Sequence, residues 1–111
     1  MRMWQVDPRV LCTKHLLGEH VETHMFVGAM RKGTSMRGFI DNGLLDGASL
    51  ADRHEDLVTE MTRRGMKHKS PLPQVPEEHC FSSPIDTAAN LLELARRCPD
   101  CLELQKRLHC E

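Results

Sequence analysis

Leu50, His54, Leu57, Val58 and Met61 recur three and four positions apart, the spacing that lines one face of an α-helix. The stripe predicts a helix over residues 50–64 with that face in the core. Ser49, three residues before Asp52, resembles a capping box, and Gly65 is placed to stop the helix. An earlier stretch, residues 10–30, has no proline and two glycines, Gly18 and Gly28. Asp7 before Pro8 makes a good start, since aspartate caps well and proline at the first helical position forfeits no hydrogen bond. A helix from residue 8 to about residue 22 or 26 is expected. Ile85, Ala88, Ala89, Leu92 and Ala95 form a third stripe, opened by Ser83 as cap and Pro84, with Asp86 three residues on. Pro99 interrupts it, and residues 102–108 suit a short fourth helix.

The intervening stretches differ in kind. Residues 31–48 are rich in glycine and basic residues and read as a long, partly ordered loop, a feature that is uncommon in compact domains and often functional. Residues 66–83 contain Pro71, Pro73 and Pro76 and read as an extended connector, proline-rich from 71 to 83. No internal repeat is present. The expected architecture is all-α: a single compact domain over residues 1–111, with three to four helices, a long Gly/basic loop and a C-terminal helical segment over 84–111.

Composition narrows the class. A chain of 111 residues has room for one core and buries roughly two thirds of its unfolded surface. Hydrophobic residues make up 40% and charged ones 28%, close to globular averages, with a mean hydropathy of -0.45. No apolar run approaches the ~18–20 residues that cross a bilayer. The first eight residues lack the apolar region of a secretory signal, so a cytoplasmic location and reduced cysteines are expected. Residues 1–70 carry 11 Lys/Arg against 9 Asp/Glu, and residues 71–111 carry 4 against 7. Neither part is strongly basic, so any binding to DNA must rest on a local patch and be salt-sensitive.

The first helix carries unusual chemistry. At about 100° per residue, Leu11, His15, Gly18, Glu22 and Met25 fall in one narrow stripe. A core face would show aliphatic residues there. Gly18 costs about 1 kcal/mol of helix propensity relative to alanine, which close approach of another group would offset. Residues 8–22 rise about 21 Å along a helix axis. Residues 1–7, extended, span roughly 20 Å, so the N-terminus can fold back and bring its amine near Glu22. An α-amine with an ordinary pKa of about 7.7–8.0 is far more nucleophilic near neutrality than a lysine at about 10.4. Beside a carboxylate, such an amine can attack a sugar C1′ and form a Schiff base.

These residues carry a resemblance. The run Leu11-Cys12-Thr13-Lys14-His15-Leu16-Leu17-Gly18-Glu19-His20-Val21-Glu22, then Phe26-Val27-Gly28-Ala29-Met30-Arg31-Lys32, resembles the N-terminal signature of the pyrimidine-dimer DNA glycosylases of the phage endonuclease V type. Met61-Thr62-Arg63-Arg64-Gly65 resembles the close of their second helix, so the likeness covers about residues 1–70. It implies an all-α enzyme that kinks DNA, flips a nucleotide and uses its N-terminal amine with a helix glutamate. By position, Glu22 matches the catalytic glutamate, His15 an active-site neighbour and Arg2 a DNA-contacting arginine. The family nucleophile is a threonine amine exposed by methionine removal. Arg2 is too large to permit that removal, so Met1 takes the place of the mature terminus with the register to Glu22 unchanged. Val21 and Met25 stand where the phage enzymes carry DNA-binding arginines, and their C-terminal aromatic segment has no counterpart. The implied activity is base excision with abasic-site lyase chemistry on damaged or modified pyrimidines in double-stranded DNA. The expected enzyme needs no cofactor for catalysis, is monomeric, and is associated with the nucleoid.

Other residues invite assignment. Arg31, Lys32, Arg37, Arg63, Arg64, Lys67 and Lys69 bracket the Gly-rich loop and the second helix's end and are the natural phosphate contacts. Cys12 and His15, three apart on a helix, could join Cys98 and Cys101 in a structural zinc site; reduced thiols are the plainer expectation. Such a site competes with His15 acting in catalysis. His15, His20 and His24 suggest metal ligands, but His20 and His24, which share a face, lack the H-E-x-x-H pattern, so surface histidines are expected. A zinc-clamped helical module that binds DNA or another partner without catalysis is the alternative reading.

Overall fold

The computed structural model describes residues 1–68 and 70–109. It is helical, with no strand among the described residues. Five helices follow in order: α1 (Thr13–Arg31), α2 (Arg37–Asp41), α3 (Leu50–Arg63), α4 (Thr87–Arg97) and α5 (Pro99–His109). Short 3-10 turns cover Pro8–Val10, Gly47–Ser49 and Glu77–His79. The helix beyond the three or four expected is α2, inside the Gly/basic loop.

The helix expected from residue 8 is broken. Asp7 does cap, accepting from the Arg9 N–H at 3.0 Å, but what it opens is the 3-10 turn. Leu11 and Cys12 are then extended, and α1 begins only at Thr13. The break buries Leu11 fully and turns the Cys12 N–H toward the Cys101 sulfur at 3.3 Å. At its other end α1 runs on to Arg31. It stops where Gly33 adopts φ 82° and the N–H groups of Gly33 and Thr34 return to the carbonyls of Met30 and Ala29. Gly65, at φ 79°, ends α3 by the same motif, as expected.

Most of the expected α3 face is inside: Leu50, His54, Leu57 and Met61 are buried, whereas Val58 is only half-buried at its edge. The start of α3 departs from expectation. The Ser49 hydroxyl donates to Asp46 at 2.6 Å instead of capping, and the 3-10 turn leads into the helix. Loop 31–48 is ordered because it has apolar residues to bury. Met36 and Leu45 are inside, and Phe39 meets Phe26 edge-on at 5.1 Å. The connector crosses at Gly47, where an added Cβ would overlap the His79 carbonyl.

The third helix needs two corrections. Its cap is Asp86, accepting from the Ala89 N–H at 2.9 Å, so α4 begins at Thr87 and not at Pro84. Its inward face is Asn90 and Leu94, whereas Leu92 is 73% exposed and Ala88 and Ala89 are also outside. Hydrogen bonds choose that face. Asn90 Nδ2 donates to the Trp4 carbonyl at 2.8 Å, and its Oδ1 accepts from Arg2 at 2.7 Å.

The chain's first six residues lie between two apolar clusters. Trp4 and Val6 enter one with Leu11, Leu16, Leu57 and Leu94; Met3 enters the other with Phe26, Met30 and Leu50. The Met3 N–H donates to the Leu44 carbonyl at 2.7 Å. The Val6 carbonyl accepts from Arg53 at 2.6 Å, and the same guanidinium forks onto Glu19 at 2.6 and 2.8 Å. All of Arg53 and Glu19 is buried, so this pair ties α1, α3 and the N-terminal segment into one joint.

Candidate active site

The N-terminal segment does run back along α1. The Arg2 backbone N–H donates to Glu22 Oε2 at 3.4 Å. A cleft of about 350 Å³ opens at this point, with Met1, His15, Gly18, Glu22 and Arg97 in its walls. The Met1 side chain packs against the Phe26 cluster. Gly18 was expected to admit a close neighbour. Instead, nothing lies within 4 Å of where its Cβ would sit, so the glycine leaves the cleft floor open.

Arg2 is committed within the protein. Its guanidinium bonds Asn90 and lies 3.7 Å from the centroid of the Trp4 ring. Burial, with Arg97 nearby, lowers its pKa from the ordinary value. His15 lines the cleft but turns Nδ1 to the sulfurs of Cys12 and Cys101, at 3.2 and 3.5 Å. Burial, then Lys14 and Arg97, lowers its pKa, which favours the neutral imidazole.

The basic residues divide into two kinds. Arg31, Lys32, Arg37 and Lys67 are exposed, Arg37 with Asp41 at 3.6 Å. Arg64 is largely structural: it donates to Glu60 and to the carbonyls of Pro8 and Leu11. Arg63 bonds Glu60 while remaining mostly exposed. Arg9, Lys14, Arg63, Arg64 and Arg107 line a second, larger groove of about 780 Å³. Lys69 lies outside the described residues.

Cys12, His15, Cys98 and Cys101 converge, with one ligand atom from each inside a 4.8 Å sphere of mutual distances. The Cys12 and Cys98 sulfurs are 3.8 Å apart, far beyond a disulfide's ~2.05 Å. Two thiolates at ~2.3 Å from a tetrahedral ion would stand about 3.8 Å apart. The Cys101 N–H points to the Cys98 sulfur at 3.5 Å. Without an ion, burial pushes the Cys101 thiol up to about 12. The donor set therefore fits a zinc ion.

A family model for pyrimidine dimer DNA glycosylases matches residues 1–74. The chain belongs to the pyrimidine dimer DNA glycosylase family. No curated protein and no solved structure matches it. It is therefore a DNA-repair glycosylase with DNA as its substrate. No helix among the described residues is long and apolar enough to cross a membrane. The matched region of the glycosylase contains Met1, His15 and Glu22 but not Asn90, Arg97, Cys98 or Cys101. Of these, Arg97 on α4 lines the cleft, Asn90 on α4 bonds Arg2, and Cys98, between α4 and α5, and Cys101 on α5 meet Cys12 and His15.

Sequence reasoning missed several parts of this glycosylase. Asn90 and the Glu19–Arg53 pair are polar residues buried by partners 86 and 34 positions away, which no local pattern reveals. His20 and His24 are corrected: His20 is buried and both rings turn inward, onto His54. The available signal was the count, seven histidines in 111 residues.

Proposed function

We propose that this glycosylase excises damaged or modified pyrimidines through an imine on its N-terminal amine and then acts as an abasic-site lyase. The Met1 amine attacks C1′ of the flipped nucleotide, and the base departs with its bonding electrons and a proton. The C1′–O4′ bond then breaks with proton transfer to O4′, which opens the sugar and forms the imine, and loss of the C2′ proton expels the 3′ phosphate by β-elimination. Glu22 stabilises the cationic sugar and moves the protons. The observation that carries this reading is the 3.4 Å contact between the Arg2 N–H and Glu22, one residue from the nucleophile and beside an open cleft. Exposed Arg31, Lys32, Arg37, Arg63 and Lys67 supply phosphate contacts, and Arg2 orients the terminus from behind.

A structural zinc ion on Cys12, His15, Cys98 and Cys101 belongs to the same proposal. It would hold α5 against the start of α1. A second reading, a zinc-clamped module without chemistry, is favoured by Val21 and Met25, which are 53% and 49% exposed on α1 and bring no charge to DNA. Borohydride reduction on duplex DNA with a dimer or abasic site separates the two. The proposed enzyme gives a covalent adduct that maps to the first peptide. Attachment at Lys14 or Lys32 would refute Met1, and stoichiometric zinc without any adduct would select the second reading.

A further inference from the structure

Four imidazoles meet on the side of α1 that carries His20 and His24. His20 and His24 stand one turn apart, His54 comes from α3, and His68 comes from the connector just past the α3 end. Ring centroids are 5.1 Å apart for His20–His24, 5.0 Å for His20–His54, 4.8 Å for His20–His68 and 5.2 Å for His54–His68. His54 is fully buried and His20 nearly so. The Nε2 atom of every one of the four is buried and has no hydrogen-bond partner. A buried nitrogen left without a partner is destabilising, so four in one place call for a common partner. Their ligand atoms all lie within 4.8 Å of one another.

We infer that His20, His24, His54 and His68 form a second metal site, holding a divalent first-row transition ion, zinc by preference, through their four Nε2 atoms. The outward nitrogens support this. His54 Nδ1 is 3.0 Å from the Glu55 carboxylate, and His24 hydrogen-bonds the Ser70 backbone. Such partners hold the proton on Nδ1 and leave the Nε2 lone pair for an ion. Four nitrogens and no carboxylate exclude calcium and magnesium, which take oxygen ligands. Four protein ligands close the shell, which makes the site structural. Its ligands are neutral, so the full charge of the ion remains, next to exposed Lys67. The site pins the connector's start to the α1–α3 pair. It is independent of the Met1 chemistry, and loss of either leaves the other standing.

The test uses the full chain, stripped of metal and reloaded with zinc or cobalt(II). Elemental analysis should give two zinc per chain. Cys98→Ser should remove one of them together with the thiolate-to-cobalt charge-transfer band. His68→Ala should remove the other and leave that band unchanged. The affinity lost should exceed the ~10–100-fold that follows from losing an outer-shell partner. His68 lies beyond the helix, so this variant tests the site without disturbing the buried face of α3. His24→Gln provides a second check and should give the same result. A His68→Ala protein that still binds two zinc, or a parent chain that binds one zinc lost entirely with Cys98→Ser, would overturn the inference.

Discussion

Replacing Glu22 by glutamine keeps the side-chain shape and the acceptor for the Arg2 N–H while removing the charge. On the proposed mechanism this variant should lose about 10²–10⁴-fold in borohydride trapping and keep its DNA affinity, as read by a mobility shift. An equal loss in both assays would mean that Glu22 only shapes the cleft. Gly18 gives a complementary prediction. Its Cβ position is empty, so Gly18→Ala should raise stability by about 0.5–1 kcal/mol in urea unfolding. Gly18→Leu would project a branched chain into the floor and should abolish trapping. That glycine was legible in the sequence as an anomaly on a helix face. Its purpose was not, because only the fold shows whether a glycine admits a neighbour or leaves a space.

At the scale of elements, the buried Glu19–Arg53 fork decides how α1, α3 and the N-terminal segment meet. Arg53→Met leaves a buried carboxylate unpaired and should cost about 3–5 kcal/mol. Adding Glu19→Gln should recover part of that loss, as measured by the urea midpoint. Glu60 gives a pH dependence. Hydrogen bonds from Arg63, then Arg64, lower its pKa from the ordinary 4.5. Its contribution is therefore complete above that value and fades as pH falls through the folded-state value. Glu60→Gln should be about 1–3 kcal/mol less stable than the parent at neutrality. The gap should close in acid, and a constant gap would refute this account. Periodicity located α3 and its buried stripe, since apolar residues at helical spacing leave one stable orientation. It mis-started α1 and α4, because Asp7 capped a single 3-10 turn and Asp86 outcompeted Ser83 as a cap. It also turned the wrong face of α4 inward, because Asn90 is held by hydrogen bonds and not by hydrophobicity.

In the whole molecule, the family-matched residues 1–74 and the later helices share one site. If zinc joins α5 to α1, a chelator should loosen α4 and α5 first, and proteolysis should then cut near the connector. Trapping should fall in parallel, because Asn90 would release Arg2 and Trp4. Full trapping by the chelated protein would dissociate the clamp from the chemistry. The same long bridges bear on how the protein is made. Residues 1–22 leave the ribosome well before Asn90, Cys98 and Cys101. Closing a loop of 88 residues between Arg2 and Asn90 must wait for the whole of the intervening chain. On the proposed mechanism, the amine is thus open to processing enzymes until Asn90 has been made, and its chemical form is decided before the fold can shelter it.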